Sequence, residues 1–70
     1  MGKRVEFSTR SARGRQILDG LERETGMPPM LRSGSRRVYD LGTLDADALL
    51  RALRGLAPDW YEHVNYLTLV

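Results

Sequence analysis

Eight consecutive residues, Ser8-Thr9-Arg10-Ser11-Ala12-Arg13-Gly14-Arg15, bring three hydroxyls and three guanidiniums into one short stretch. Val5-Glu6-Phe7-Ser8 before it alternates apolar and polar, as a half-buried strand does. Ile17, Leu18 and Leu21 after it recur at helical spacing. The cluster therefore falls where a strand hands over to a helix and backbone N–H groups lack partners. Such a junction favours anions, and Thr9, Arg10, Ser11 and Arg13 are the candidate anion ligands. Three cations at a helix start oppose its dipole unless an anion neutralises them. The stretch has neither the Gly-x-x-x-x-Gly-Lys phosphate loop nor a dinucleotide fingerprint, so a solvated basic helix start is the plainer alternative.

A second constellation pairs the aromatics Phe7 and Tyr39 with Arg36 and Arg37. Exposed aromatics beside cations on a sheet are a means of stacking nucleic-acid bases. Arg36-Arg37-Val38-Tyr39-Asp40-Leu41 lacks the aromatic–glycine spacing of the RNA-binding signature. Phe7 also shares its strand face with Val5, which points to a core position. His63 is the only histidine. On a strand its neighbour Glu62 faces the other way, so no catalytic dyad is expected, and a base needs an orienting partner. Ser8, Ser11, Ser33 and Ser35 read as caps and turns rather than nucleophiles. With no cysteine and one histidine, neither a disulfide nor a thiolate or His-pair metal site is expected. No cofactor is implied.

The elements that must position these groups follow in order. Val5–Ser8 is a strand. Ser11–Thr25 is a helix, stopped by Gly26 and by Pro28-Pro29, although Gly14 costs it about 1 kcal/mol relative to Ala. Met27 and Met30 flank the prolines and suit either a gap in the core or an adaptable contact surface. Any strand here must be an edge strand starting at or after Met30, with Leu31-Arg32 a possible short hairpin partner for the strand that follows. Ser33-Gly34-Ser35 is a turn, and Arg36–Leu41 a further strand. Thr43 is the expected N-cap of a second helix, with Asp45 and Asp47 in its first turn and Leu49, Ala52, Leu53 and Leu56 as its stripe. Val64–Val70 is rich in β-branched, aromatic and aliphatic residues and reads as a strand, whose end, Tyr66–Val70, is closer to a strand covered on both faces than to one with a wet face. For Trp60–His63 both strand and helix remain open, since Asp59 could cap a helical turn.

This order is βαββαβ, the pattern of an α+β, ferredoxin-like sandwich with two helices on one face of an antiparallel sheet. The fold by itself implies no function. Seventy residues form a single domain with a small core, burying roughly 60% of the unfolded surface. No apolar run is long enough to span a membrane, and Met1-Gly2-Lys3-Arg4-Val5-Glu6 lacks the apolar run of a signal peptide, so a cytoplasmic location is expected. Arginine outnumbers lysine ten to one, a bias of GC-rich bacterial or phage genomes.

The net charge of +2 divides into +5 over residues 1–37 and −3 over residues 38–70. The fold could interleave the halves and cancel this, or leave a basic region for an anionic partner. The expected function is a non-enzymatic interaction module that binds a protein, or a second copy of itself, on the open sheet face. Arg10, Arg13, Arg36 and Arg37 would steer an acidic partner, while Tyr39, Tyr66, Leu67 and Leu69 would supply buried contact. Nucleic-acid binding through the same arginines is the alternative.

Overall fold

The computed structural model of the chain describes residues 3–69. Strand β1 (Arg4–Ser8) leads into helix α1 (Ala12–Thr25), then the hairpin β2 (Pro29–Ser33) and β3 (Arg36–Asp40), helix α2 (Ala46–Leu56) and strand β4 (Asn65–Leu69). The sheet order is β2-β3-β1-β4, and every neighbouring pair is antiparallel. This is the βαββαβ, ferredoxin-like arrangement expected from the order of sequence patterns. β1 and β3 are central, and β2 and β4 are the edges.

Alternation divides the sheet into two faces. Val5 and Phe7 of β1 and Tyr39 of β3 are fully buried against the helices, joined by Ile17, Leu18 and Leu21 of α1 and Leu49 and Leu53 of α2. Phe7 packs edge-on against Tyr39, with ring centres 5.9 Å apart, and meets Tyr66 at 5.3 Å. Met27 lies in the core, whereas Met30 is about half exposed.

Each helix end follows from local chemistry. The Ser11 hydroxyl accepts from the Gly14 N–H, satisfying one free donor at the start of α1. Gly26 closes the helix at φ 72°, a left-handed conformation, and donates its N–H to the Glu22 carbonyl. The second helix is capped by Asp45, which accepts from the Ala48 N–H at 2.7 Å, and not by Thr43. Thr43 falls inside a turn that the sequence reading missed. Asp40 accepts from the Gly42 N–H, Gly42 takes φ 61°, and Leu44 donates back to the Leu41 carbonyl.

Before the last strand, Trp60–Glu62 form one turn of 3-10 helix, which resolves the open alternative for that stretch. Asp59 precedes it but makes no side-chain cap. The terminal strand begins at Asn65, one residue after the expected Val64, which is buried in the core. Val70, the expected last residue of that strand, lies outside the described residues.

Candidate functional site

The face of the sheet turned away from the helices carries Arg4, Glu6 and Ser8 of β1, Arg36, Val38 and Asp40 of β3, Leu31 and Ser33 of β2, and Asn65 and Leu67 of β4. One row of the ladder reads Leu31, Val38, Glu6, Leu67 across all four strands. The two leucines at its ends are 46% and 57% exposed. Val38 between them is 9% exposed. Glu6 accepts both guanidinium bonds of Arg36, at 2.6 and 3.1 Å, and this pair flanks Val38. A second row sets Asp40 opposite Arg4, with Leu69 on the other side of Arg4. The Leu69 side chain lies outside the described residues. Of the expected contact residues, Arg36 and Leu67 are on this face.

Tyr39 and Arg37 are not, which corrects their expected role as contact residues. Both point at α1. Tyr39 is fully buried, and its hydroxyl donates to Glu22 at 2.6 Å. Arg37 donates to Asp19 at 2.8 Å and to Glu22 at 2.9 Å, with only 11% of its side chain exposed. Arg32 on β2 donates to the other Glu22 oxygen at 2.7 Å. Glu22 thereby ties β2 and β3 to α1 through three donors. Burial, and next the bond to Glu22, hold the Tyr39 phenol well above its ordinary range. Tyr66 also turns inward, packing near Phe7 and 6.4 Å from the Trp60 ring. Phe7 and Tyr39 are fully buried, Phe7 in the core position that its shared face with Val5 pointed to, so neither offers a base-stacking surface on the outer face.

The strand–helix junction divides the expected anion cluster. Thr9 is buried, donates its hydroxyl to the His63 carbonyl at 2.7 Å and accepts from the Ser11 N–H at 3.3 Å. Ser11 is occupied as a cap. Arg13 contributes, after nearer groups, to holding the Asp59 carboxyl below its ordinary value. Arg10 instead joins Arg15, Arg32 and Arg37, with Thr9, Gly34 and Ser35, around a groove of about 470 Å3. The antiparallel pairing of β1 with β3 explains the gathering. Ser8 at the end of β1 sits opposite Arg36, so the β2–β3 turn comes to the start of α1. Thr9 then extends the ladder by donating its N–H to the Ser35 carbonyl at 2.9 Å. Arg15 belongs to the basic cluster but was not among its candidate ligands, and Arg32, Gly34 and Ser35 were missed in the sequence, yet the expected strand order already places that turn beside that helix start.

On the far side of Thr9, a shallower groove of about 320 Å3 is lined by Thr9, Arg10, Ser11, Glu62, His63 and Asn65. His63 does have a carboxylate partner, contrary to the strand-based expectation. The 3-10 turn brings Asp59 Oδ2 to 3.2 Å from His63 Nε2. Their spacing of four residues was the available signal. That contact, ahead of others, holds the half-exposed Asp59 carboxyl below its ordinary range. Among the described residues no three His, Cys, Asp or Glu side chains gather to hold a metal, and no helix is long and apolar enough to cross a membrane.

Comparison with protein-family models, with curated proteins and with solved structures gave no match.

Proposed function

We propose that the chain is a small non-enzymatic protein-interaction module of the cytoplasm whose working surface is the outer face of its sheet. The observation that carries this is the row Leu31–Val38–Glu6–Leu67, with an exposed leucine at each end. Single exposed apolar side chains are ordinary on a surface. Here two of them sit in register, one on each edge strand, around a central ion pair that is already satisfied within the chain.

The occupant that fits this face is a second copy. A two-fold axis along the strands, between β1 and β3, turns the row onto itself. Leu31 of one copy then meets Leu67 of the other, twice. The same rotation sets Asp40 over Arg4 of the second copy, also twice. An isologous interface requires such self-complementarity, and stacked sheets accommodate it within about 30° of parallel.

Light scattering on the purified chain tests the proposal. The expected result is a concentration-dependent mass approaching twice 7.9 kDa, with a dissociation constant of about 1–100 μM for so small a face. Leu67→Glu should return the mass of one chain with unchanged circular dichroism, because Leu67 contributes little to the monomer core. A single-chain mass at every concentration up to about 1 mM, well above that range, would sink this reading.

A further inference from the structure

We infer that the groove between α1 and the β2–β3 turn binds one dianionic phosphoryl group of a small phosphorylated molecule. It contains four guanidiniums, from Arg10, Arg15, Arg32 and Arg37, and no carboxylate lines it. Two of the four are compensated from outside the groove: Arg32 by Glu22, and Arg37 by Asp19 and Glu22. Arg10 and Arg15 have no ion pair among the described residues. The site therefore presents two uncompensated cations, which match one dianion in charge.

The two compensated arginines give the groove a fixed wall. Arg37 is held by two carboxylates and is mostly covered, so its remaining N–H groups are oriented before a ligand arrives. Guanidinium donors offer forked hydrogen bonds that suit phosphate oxygens better than a point charge does. A volume of about 470 Å3 exceeds what a bare phosphate needs and leaves room for an attached small molecule. A polynucleotide fits less well. Its affinity comes from many phosphates contacted in succession, and two free cations at one end of the molecule provide no such track. This site is separate from the outer sheet face, so either proposal can fail while the other stands.

Amide-resolved NMR at constant ionic strength tests the site with inorganic phosphate, with a nucleoside 5′-monophosphate and with the parent nucleoside. Phosphate and the monophosphate should shift Arg10, Arg15, Gly34 and Ser35 saturably, and the nucleoside should shift nothing. Arg10→Gln and Arg15→Gln, both exposed positions, should each weaken binding about tenfold or more while the spectrum stays folded. Arg13→Gln, outside the groove, should bind as the parent does. Non-saturating shifts, shifts spread equally over Arg13, Arg23, Arg51 and Arg54, or equal binding by Arg10→Gln and Arg15→Gln would overturn the proposal. So would affinity for single-stranded oligonucleotides that rises steadily with length and exceeds that for the monophosphate.

Discussion

At the scale of single residues, Gly14 carries the tightest steric constraint among the described glycines. A Cβ built there would lie 1.8 Å from the Thr9 hydroxyl oxygen and 2.7 Å from the His63 carbonyl oxygen. These are the two ends of the Thr9–His63 hydrogen bond, which joins the end of β1 to the entry of β4. Composition alone assigns glycine in a helix a small propensity cost, and that was all the sequence made legible at this position. The reason for tolerating the cost is a backbone approach between segments about fifty residues apart, which no local pattern encodes. Gly14→Ala should therefore destabilise by about 3 kcal/mol, from overpacking and the disrupted bond together. Gly55 in α2 is the control, since a Cβ there meets nothing within 4 Å. Gly55→Ala should stabilise by about 0.5–1 kcal/mol through helix propensity and a less flexible unfolded chain. Urea midpoints of the two variants, measured together, decide it; equal shifts in the same direction would contradict the close approach.

At the scale of elements, Glu22 clamps the hairpin to α1, and its three donors arrive from two strands. Glu22→Ala should cost about 3 kcal/mol, because the Tyr39 hydroxyl would be left covered without its acceptor and Arg37 would keep only Asp19. A total stability of only about 4–10 kcal/mol for a chain of this size makes that loss easy to see in a urea titration. Tyr39→Phe should cost about 1.5 kcal/mol, the range of one hydrogen bond to a charged group. The phenol also sets an alkaline limit. Its ionisation is pushed up in the folded chain, so the unfolded chain loses that proton first as pH rises. The contribution is intact below the ordinary tyrosine range near pH 10 and is lost progressively above it. Tyr39→Phe should flatten this alkaline decline; an unchanged slope would assign the decline to other groups. The element order itself was legible from alternation, stripes, caps and prolines. The inward turn of Arg37 was not, because strand alternation alone does not say whether a cation on the core side will find carboxylates on the covering helix. Asp19 and Glu22, three residues apart on α1, supply them.

At the scale of the whole molecule, the division into a basic first half and an acidic second half is only partly cancelled by the fold. β1 does sit between β3 and β4. Yet the ion pairs of Arg32, Arg36 and Arg37 are all made with Glu6, Asp19 and Glu22, acids of the same first half. The hairpin arginines thus consume acids that could have neutralised the start of α1, and Arg10 and Arg15 remain exposed without carboxylate partners among the described residues. The outer sheet face is different: Arg4 and Arg36 balance Glu6 and Asp40, so association of two copies there carries no net repulsion. The proposed two-fold arrangement makes a specific prediction, because it would set Asp40 of one copy over Arg4 of the other. Arg4→Glu alone should put two carboxylates together at both symmetry-related contacts and shift the chain towards monomer. Asp40→Arg alone should do the same with two cations. The double variant, Arg4→Glu with Asp40→Arg, restores opposite charges across the interface and should recover the dimer mass in light scattering. Asp40 also caps Gly42 within its own chain, so both Asp40 variants start from a somewhat less stable monomer, and mass rather than stability is the deciding readout. Arg4 and Asp40 also face each other within one chain, so recovery in the double variant supports the axis along the strands when circular dichroism shows each single variant still folded. A double variant no more dimeric than either single one would show that the charges never meet, and the pairing of Leu31 with Leu67 would fall with them.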